Sequence, residues 1–335
     1  MNPPWVDAAW AGWARRVAAG CVPHAVLLAG PAGLGKRALA ADIAGGLLCG
    51  SPSADGRPCG RCRACGLVAA GTHPDLHRIT FEVNEDTGKL RTEIVVDQVR
   101  ALRDTLAQTS QFGGWRVALI EPAEGMNTAS FNALLKTLEE PEARALLLLV
   151  SDRPAALPAT IRSRCQRIDL RFPPRAEALA WLAAAGVSET VAAESLDLAA
   201  GNPGQARALA DPGARAQLDA VLRDLVAVGS GRAAPAEVAG AWLKDKDAAP
   251  GLLVLAAQAV RLAAWSGHGQ GAPAKPVAAL AGLTTGADFP KLAAWWDRVN
   301  VVREQLRAPL RHDLLVLELL RDFRAIVQPL RNAKG

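Results

Sequence analysis

Two short stretches carry residue types arranged for chemistry. The first is "GPAGLGKR", residues 30–37. Gly30, Gly33 and Gly35 let neighbouring backbone N–H groups turn inward on phosphate oxygens. Lys36 is spaced to reach the outer phosphates, and the N-terminus of a following helix adds partial positive charge. Working phosphate loops place Ser or Thr next, and its hydroxyl holds Mg2+. Arg37 stands there instead, permanently cationic and with no oxygen to offer. The second stretch, "CGSPSADGRPCGRCRAC", spaces Cys49, Cys59, Cys62 and Cys65 as C-x9-C-x2-C-x2-C. Four thiolates at that spacing suit a tetrahedral Zn2+ site, and with no coordination position left for water the ion is structural.

A third stretch tests the first. The apolar run "VALI" leads into Glu121 and Pro122. An ATPase needs an acid here to hold Mg2+ and a second carboxylate to polarise the attacking water. Glu121 can serve as the first, but Pro122 cannot act as a base. Defects at two separated places predict that ATP or ADP binding is weak or absent and that the chain does not hydrolyse ATP.

These residues need a scaffold, and the pattern supplies one. "HAVLLAG" (24–30) reads as a short buried strand, followed by the loop and a helix over 36–48. "DLHRITFE" (75–82) alternates as a strand, and Asp97 is expected to cap a helix reaching about Thr109. Further strands are expected over 115–124, 145–152 and 165–170, with a helix from Asn127 to Pro141 between the first two. Short apolar strands alternating with helices predict an α/β fold, a parallel sheet covered on both faces. The cysteine stretch is an insert after the first of these helices.

After Pro173-Pro174 the chain turns Ala-rich and helical, with breaks at "GNPG" (201–204), "ADPGA" (210–214) and "GHGQGAPAKP" (267–276). The expected domains are 1–172, a phosphate-loop domain with the cysteine module at 49–65; 173–210, small and helical; and 211–335, larger and all helical. Trp265, Trp295 and Trp296 are expected in the core, as are the isolated Cys21 and Cys165.

Composition is that of a soluble globular protein: 50% hydrophobic, 21% charged and a net charge of +5. That charge permits a polyanionic partner without requiring one. The longest apolar runs are too short to span a bilayer. "MNPPWVDAAW" lacks the basic-then-apolar order of a secretory signal, so a cytoplasmic location is expected, where clustered cysteines suggest metal before disulfide.

"HAVLLAGPAGLGK", the four cysteines, "GTHPDL" (71–76), "NALLKTLEEP" (132–141) and "IRSRCQ" (161–166) occur in this order. Together they resemble the AAA+ clamp-loader subunits of bacterial DNA polymerase III, strongly over about residues 15–210. The remainder resembles the oligomerising collar domain of those proteins more weakly. The resemblance implies an AAA+ domain, a small helical lid and a collar. It also implies membership of a hetero-pentamer with gamma/tau motor subunits and delta. That complex loads the sliding clamp on primer–template DNA for a DNA-directed DNA polymerase.

Within the family, gamma/tau motors hydrolyse ATP, and another branch has lost the catalytic groups and serves as a fixed stator. Arg37, the pair Glu121-Pro122, and Gly204 at the place of a sensor arginine point to the stator branch. The alternative is an ATP-hydrolysing gamma/tau-type motor. Taken alone, Arg164 is an ordinary surface or salt-bridged arginine. The resemblance makes it an arginine finger, acting in trans on the ATP of a neighbouring motor.

Overall fold

The computed structural model describes residues 3–85, 88, 90–245, 247–266, 277–306 and 310–328. Two compact units divide the chain, Met1–Glu177 and Ala178–Gly335.

The first unit is built on a sheet of five strands: β1 (Ala25–Ala29), β2 (Leu76–Ile79), β3 (Arg116–Ile120), β4 (Ala145–Ser151) and β5 (Gln166–Asp169). All four pairings are parallel, in the order β2-β3-β4-β1-β5. In register, Ala29 lies beside both Ser151 and Asp169. Every residue of β1 and β4 is buried, as expected of strands covered on both faces.

Alternation along the strands sorts the core into two layers. Leu27, Ile120 and Leu147 pack on one face with Val99 and Leu102 of α4 (Val96–Leu106) and Leu134 and Leu138 of α5 (Thr128–Glu139). Val26, Leu28, Leu119 and Leu148 pack on the other with Trp10 and Trp13 of α1 (Pro4–Ala18) and Leu39 and Ile43 of α2 (Lys36–Leu48). Two further helices are short: α3 (Arg63–Ala69), carrying Cys65, and α6 (Ala159–Arg162), just before β5.

The α/β reading holds, with local corrections. Asp97 lies in the first turn of α4 and is not its cap; the helix begins after Val95 and stops at Leu106. Gln98 sets that start. Its Oε1 accepts from Val95 N at 3.0 Å while its Nε2 donates to Thr80 O at 2.9 Å. Cys21 is exposed on the turn after α1, whereas Cys165 is buried.

The second unit is helical, with α7 (Arg175–Ala184) running in from its boundary. After it come α8 (Glu189–Leu198), α9 (Pro203–Leu209), α10 (Pro212–Gly229), α11 (Pro235–Trp242), α12 (Ala249–Ser266), α13 (Ala278–Thr284), α14 (Phe289–Gln305) and α15 (His312–Val327). Leu182, Leu225, Leu253, Leu292 and Phe323 belong to one apolar cluster. Division of this half at residue 210 therefore stays a proposal. Trp295 is buried, and its indole donates to Leu319 O at 2.8 Å. Trp265 is 60% exposed, against expectation, because it lies in the last turn of α12, off the packed face. The break at 267–276 lies outside the described residues. Among the described residues no helix is long and apolar enough to cross a membrane.

Candidate functional site

The phosphate loop leaves the carboxyl end of β1, where open α/β sheets place their ligands. Its glycines are required by shape. Gly30, Gly33 and Gly35 have φ of 142°, 85° and 86°. A Cβ on Gly30 would lie 2.2 Å from the carbonyl oxygen of Leu170, and one on Gly35 would lie 2.8 Å from the Val6 side chain.

Lys36 is only 3% exposed. Its Nζ donates to Gly30 O at 2.7 Å and Pro31 O at 2.6 Å, and lies 2.6 Å from Asp152 Oδ1. An ammonium has three donors, and these three acceptors use them all. The loop therefore satisfies its own lysine. Asp152 is held in turn by its backbone N–H, which donates to Glu124 Oε1 at 3.1 Å. Ser151, at the end of β4, is fully buried, and its hydroxyl accepts from Arg153 N at 3.2 Å.

Arg37 and Glu121 come together. The Arg37 Nε is ion-paired with Glu121 Oε1, joining the residue after the loop lysine to the residue after β3. The arginine is 73% exposed and the glutamate 22%. The residue after the loop lysine and the residue after β3 thus neutralise one another's charge. Pro122 follows directly, with no carboxylate to activate water.

The four cysteines converge. Their sulfurs all lie within 4.8 Å of one another, with Cys49–Cys62 at 3.8 Å, Cys59–Cys65 at 3.9 Å and Cys49–Cys65 at 3.6 Å. A tetrahedron with metal–sulfur bonds of about 2.3 Å has edges of about 3.8 Å, so this cluster could hold a metal ion. Backbone N–H groups support it. Those of Ser51 and Cys59 point at Cys49 Sγ, and that of Cys65 at Cys62 Sγ, each at 3.4 Å. Backbone donors of Cys65 and Gly50 pull the Cys62 thiol down to about 6, while burial pushes Cys65 up to about 12.

Arg57 fastens this module to the sheet's helices. Its guanidinium reaches Asp7 at 2.5 Å, Asp42 at 3.0 Å and Asp55 at 3.3 Å, and lies 4.8 Å from the Trp10 ring centroid. "GTHPDL" has a structural role. The buried Asp75 carboxylate accepts from Ser110 Oγ at 3.0 Å, Gln111 N at 2.9 Å and Phe112 N at 3.1 Å.

Arg164 is exposed between α6 and β5. Its Nη1 donates to Thr160 O at 3.1 Å, and its Nη2 lies 2.8 Å from Glu139 Oε1. Gly204 lies in α9 of the second unit.

Sequence reasoning missed Asp152 and Glu139. Asp152 immediately follows the polar residue that ends β4. Glu139 lies inside "NALLKTLEEP", where its position near the "SRC" arginine depends on the packing of α5 against α6.

A family model described as "DNA polymerase III, delta subunit" matches residues 6–174. The chain is 43% identical to DNA polymerase III subunit delta prime of Pseudomonas aeruginosa over 71% of its own length and 70% of that protein's. It is 36% identical to the Escherichia coli delta prime subunit over 62% of its length and 60% of that protein's. A gamma subunit-related protein of Thermotoga maritima aligns with 96% of the chain and all of its own, at 16% identity and a TM-score of 0.45.

The parallel sheet with its glycine-rich loop and these similarities define the class: an AAA+ clamp-loader subunit. The chain belongs to the delta prime family of DNA polymerase III subunits.

Proposed function

We propose that this chain is the noncatalytic, stator-type member of a clamp-loader pentamer that includes gamma/tau motors and delta. It helps load a sliding clamp on primer–template DNA, and it works in the cytoplasm. One observation carries the noncatalytic reading: the ion pair between Arg37 and Glu121 occupies both positions that would hold Mg2+. The occupied donors of Lys36 support it, so nucleotide binding by this loop is weak or absent. Arg164 acts elsewhere, on the ATP of the neighbouring motor, where its guanidinium stabilises charge on the transferred phosphoryl group. Zn2+ is the ion that best suits four thiolates, and its role is structural.

The test is the DNA-dependent ATPase of a loader reconstituted with the Arg164→Ala chain. Assembly should be intact and turnover reduced about a thousandfold, the scale of a trans arginine. Undiminished turnover would remove the finger role.

A further inference from the structure

Arg164 has two anchors. One is the backbone carbonyl of Thr160, in its own short helix α6; the other is the carboxylate of Glu139, the last residue of α5. We infer that Glu139 is a positioning residue for Arg164: its carboxylate fixes the direction in which the guanidinium is presented to the neighbour's phosphates. This rests on the finger reading of Arg164.

The donor inventory favours presentation over sequestration. A guanidinium carries five N–H groups in one plane. Thr160 takes one on Nη1, and Glu139 faces Nη2. Among the described residues the Nε–H and one N–H on each Nη have no partner, enough to meet phosphate oxygens in the same plane. Partial exposure agrees, since 37% of the Arg164 side chain is accessible. Both anchors are needed to define a plane, because one hydrogen bond leaves a long side chain free to swing about it. The Thr160 carbonyl is fixed by the backbone, so the carboxylate is the anchor a substitution can remove.

The pair is also a poor candidate for a structural role. Glu139 is 52% exposed, and ion pairs between partly exposed groups add little to stability. Substitution at Glu139 should therefore leave the fold intact.

The experiment uses the full chain in the reconstituted loader, with primer–template DNA and clamp present. Glu139→Ala should lower kcat for ATP at least about tenfold, within the roughly hundredfold that a misplacement of about 1 Å can cost. KM for ATP and assembly should stay unchanged. Glu139→Gln, which keeps an oxygen acceptor, should lie nearer the unmodified rate. In an Arg164→Ala background, Glu139→Ala should cause no further loss. A Glu139→Ala loader that turns over at the unmodified rate, or faster, overturns the inference, and so does a further tenfold loss in the double variant. If Arg164→Ala alone has no effect, the finger reading fails first, which separates the two failures.

Discussion

Arg37 and Glu121 are ion-paired across the mouth of the phosphate loop. On the proposed noncatalytic reading, one stands where a working site carries a hydroxyl for Mg2+ and the other where it carries the metal's carboxylate. Their pairing makes the two changes a single charge-compensated unit, and it separates the loop's shape from its chemistry.

The purified chain alone should therefore turn over no ATP above background. Arg37→Thr supplies a hydroxyl and frees Glu121, so Mg2+-dependent binding of a fluorescent ATP analogue should tighten. Hydrolysis should still be absent, because Pro122 provides no base. Turnover by the unmodified chain in a coupled phosphate-release assay would sink the noncatalytic reading.

In the assembled loader, Arg164→Lys separates charge from geometry. Lysine keeps the charge but cannot offer a planar fork to two oxygens. Turnover should remain well below the unmodified loader and close to that of the alanine variant. Near-complete rescue by lysine would argue that charge alone matters.

The chain should carry about one zinc per molecule by elemental analysis, and Cys62→Ser should lose it. After the metal is stripped, the cysteines should differ in reactivity. The thiolate is the nucleophile, and Cys62 is pulled down to about 6 by backbone donors. Its alkylation by iodoacetamide should therefore climb as pH rises through 6 and level off above it. Burial pushes Cys165 up to about 12, so Cys165 should stay unmodified at neutral pH. Peptide mass spectrometry reads both.

Asp75→Ala should be costly for folding. It leaves the Ser110 hydroxyl and the backbone N–H groups of Gln111 and Phe112 without their acceptor. Losing hydrogen bonds to a charged carboxylate costs about 1.5–3 kcal/mol. Urea unfolding would show it as a lower midpoint with an unchanged slope. A midpoint at the unmodified value would mean that those donors find other partners.

Local signals made much of this molecule legible. Short apolar runs such as "AVLLA" and "ALLLLV", bounded by turn residues, read as strands buried on both faces and are so, and Asn127 does cap α5, accepting from Ser130 N at 2.9 Å. The cysteine spacing announced its cluster, because ligands close in sequence need little help from the rest of the fold. What stayed hidden was long-range. Nothing near Lys36 in the chain announces Asp152, which meets it only because β1 and β4 are neighbours in the sheet. Glu139 reaches Arg164 only because α5 packs against α6. Start signals misled at α4, where the Gln98 side chain outweighed the capping preference of Asp97.

Arg57 ties the cysteine loop to Trp10 in two ways. Its guanidinium covers the ring, and its neighbour Asp55 accepts the indole N–H through its backbone carbonyl at 3.2 Å. The loop that carries Cys59 therefore ends against a fluorophore. A disturbance of that loop should therefore reach the electrostatic surroundings of a buried tryptophan, and Trp10 fluorescence is the signal expected to change if a metal is added to or stripped from the cysteine cluster.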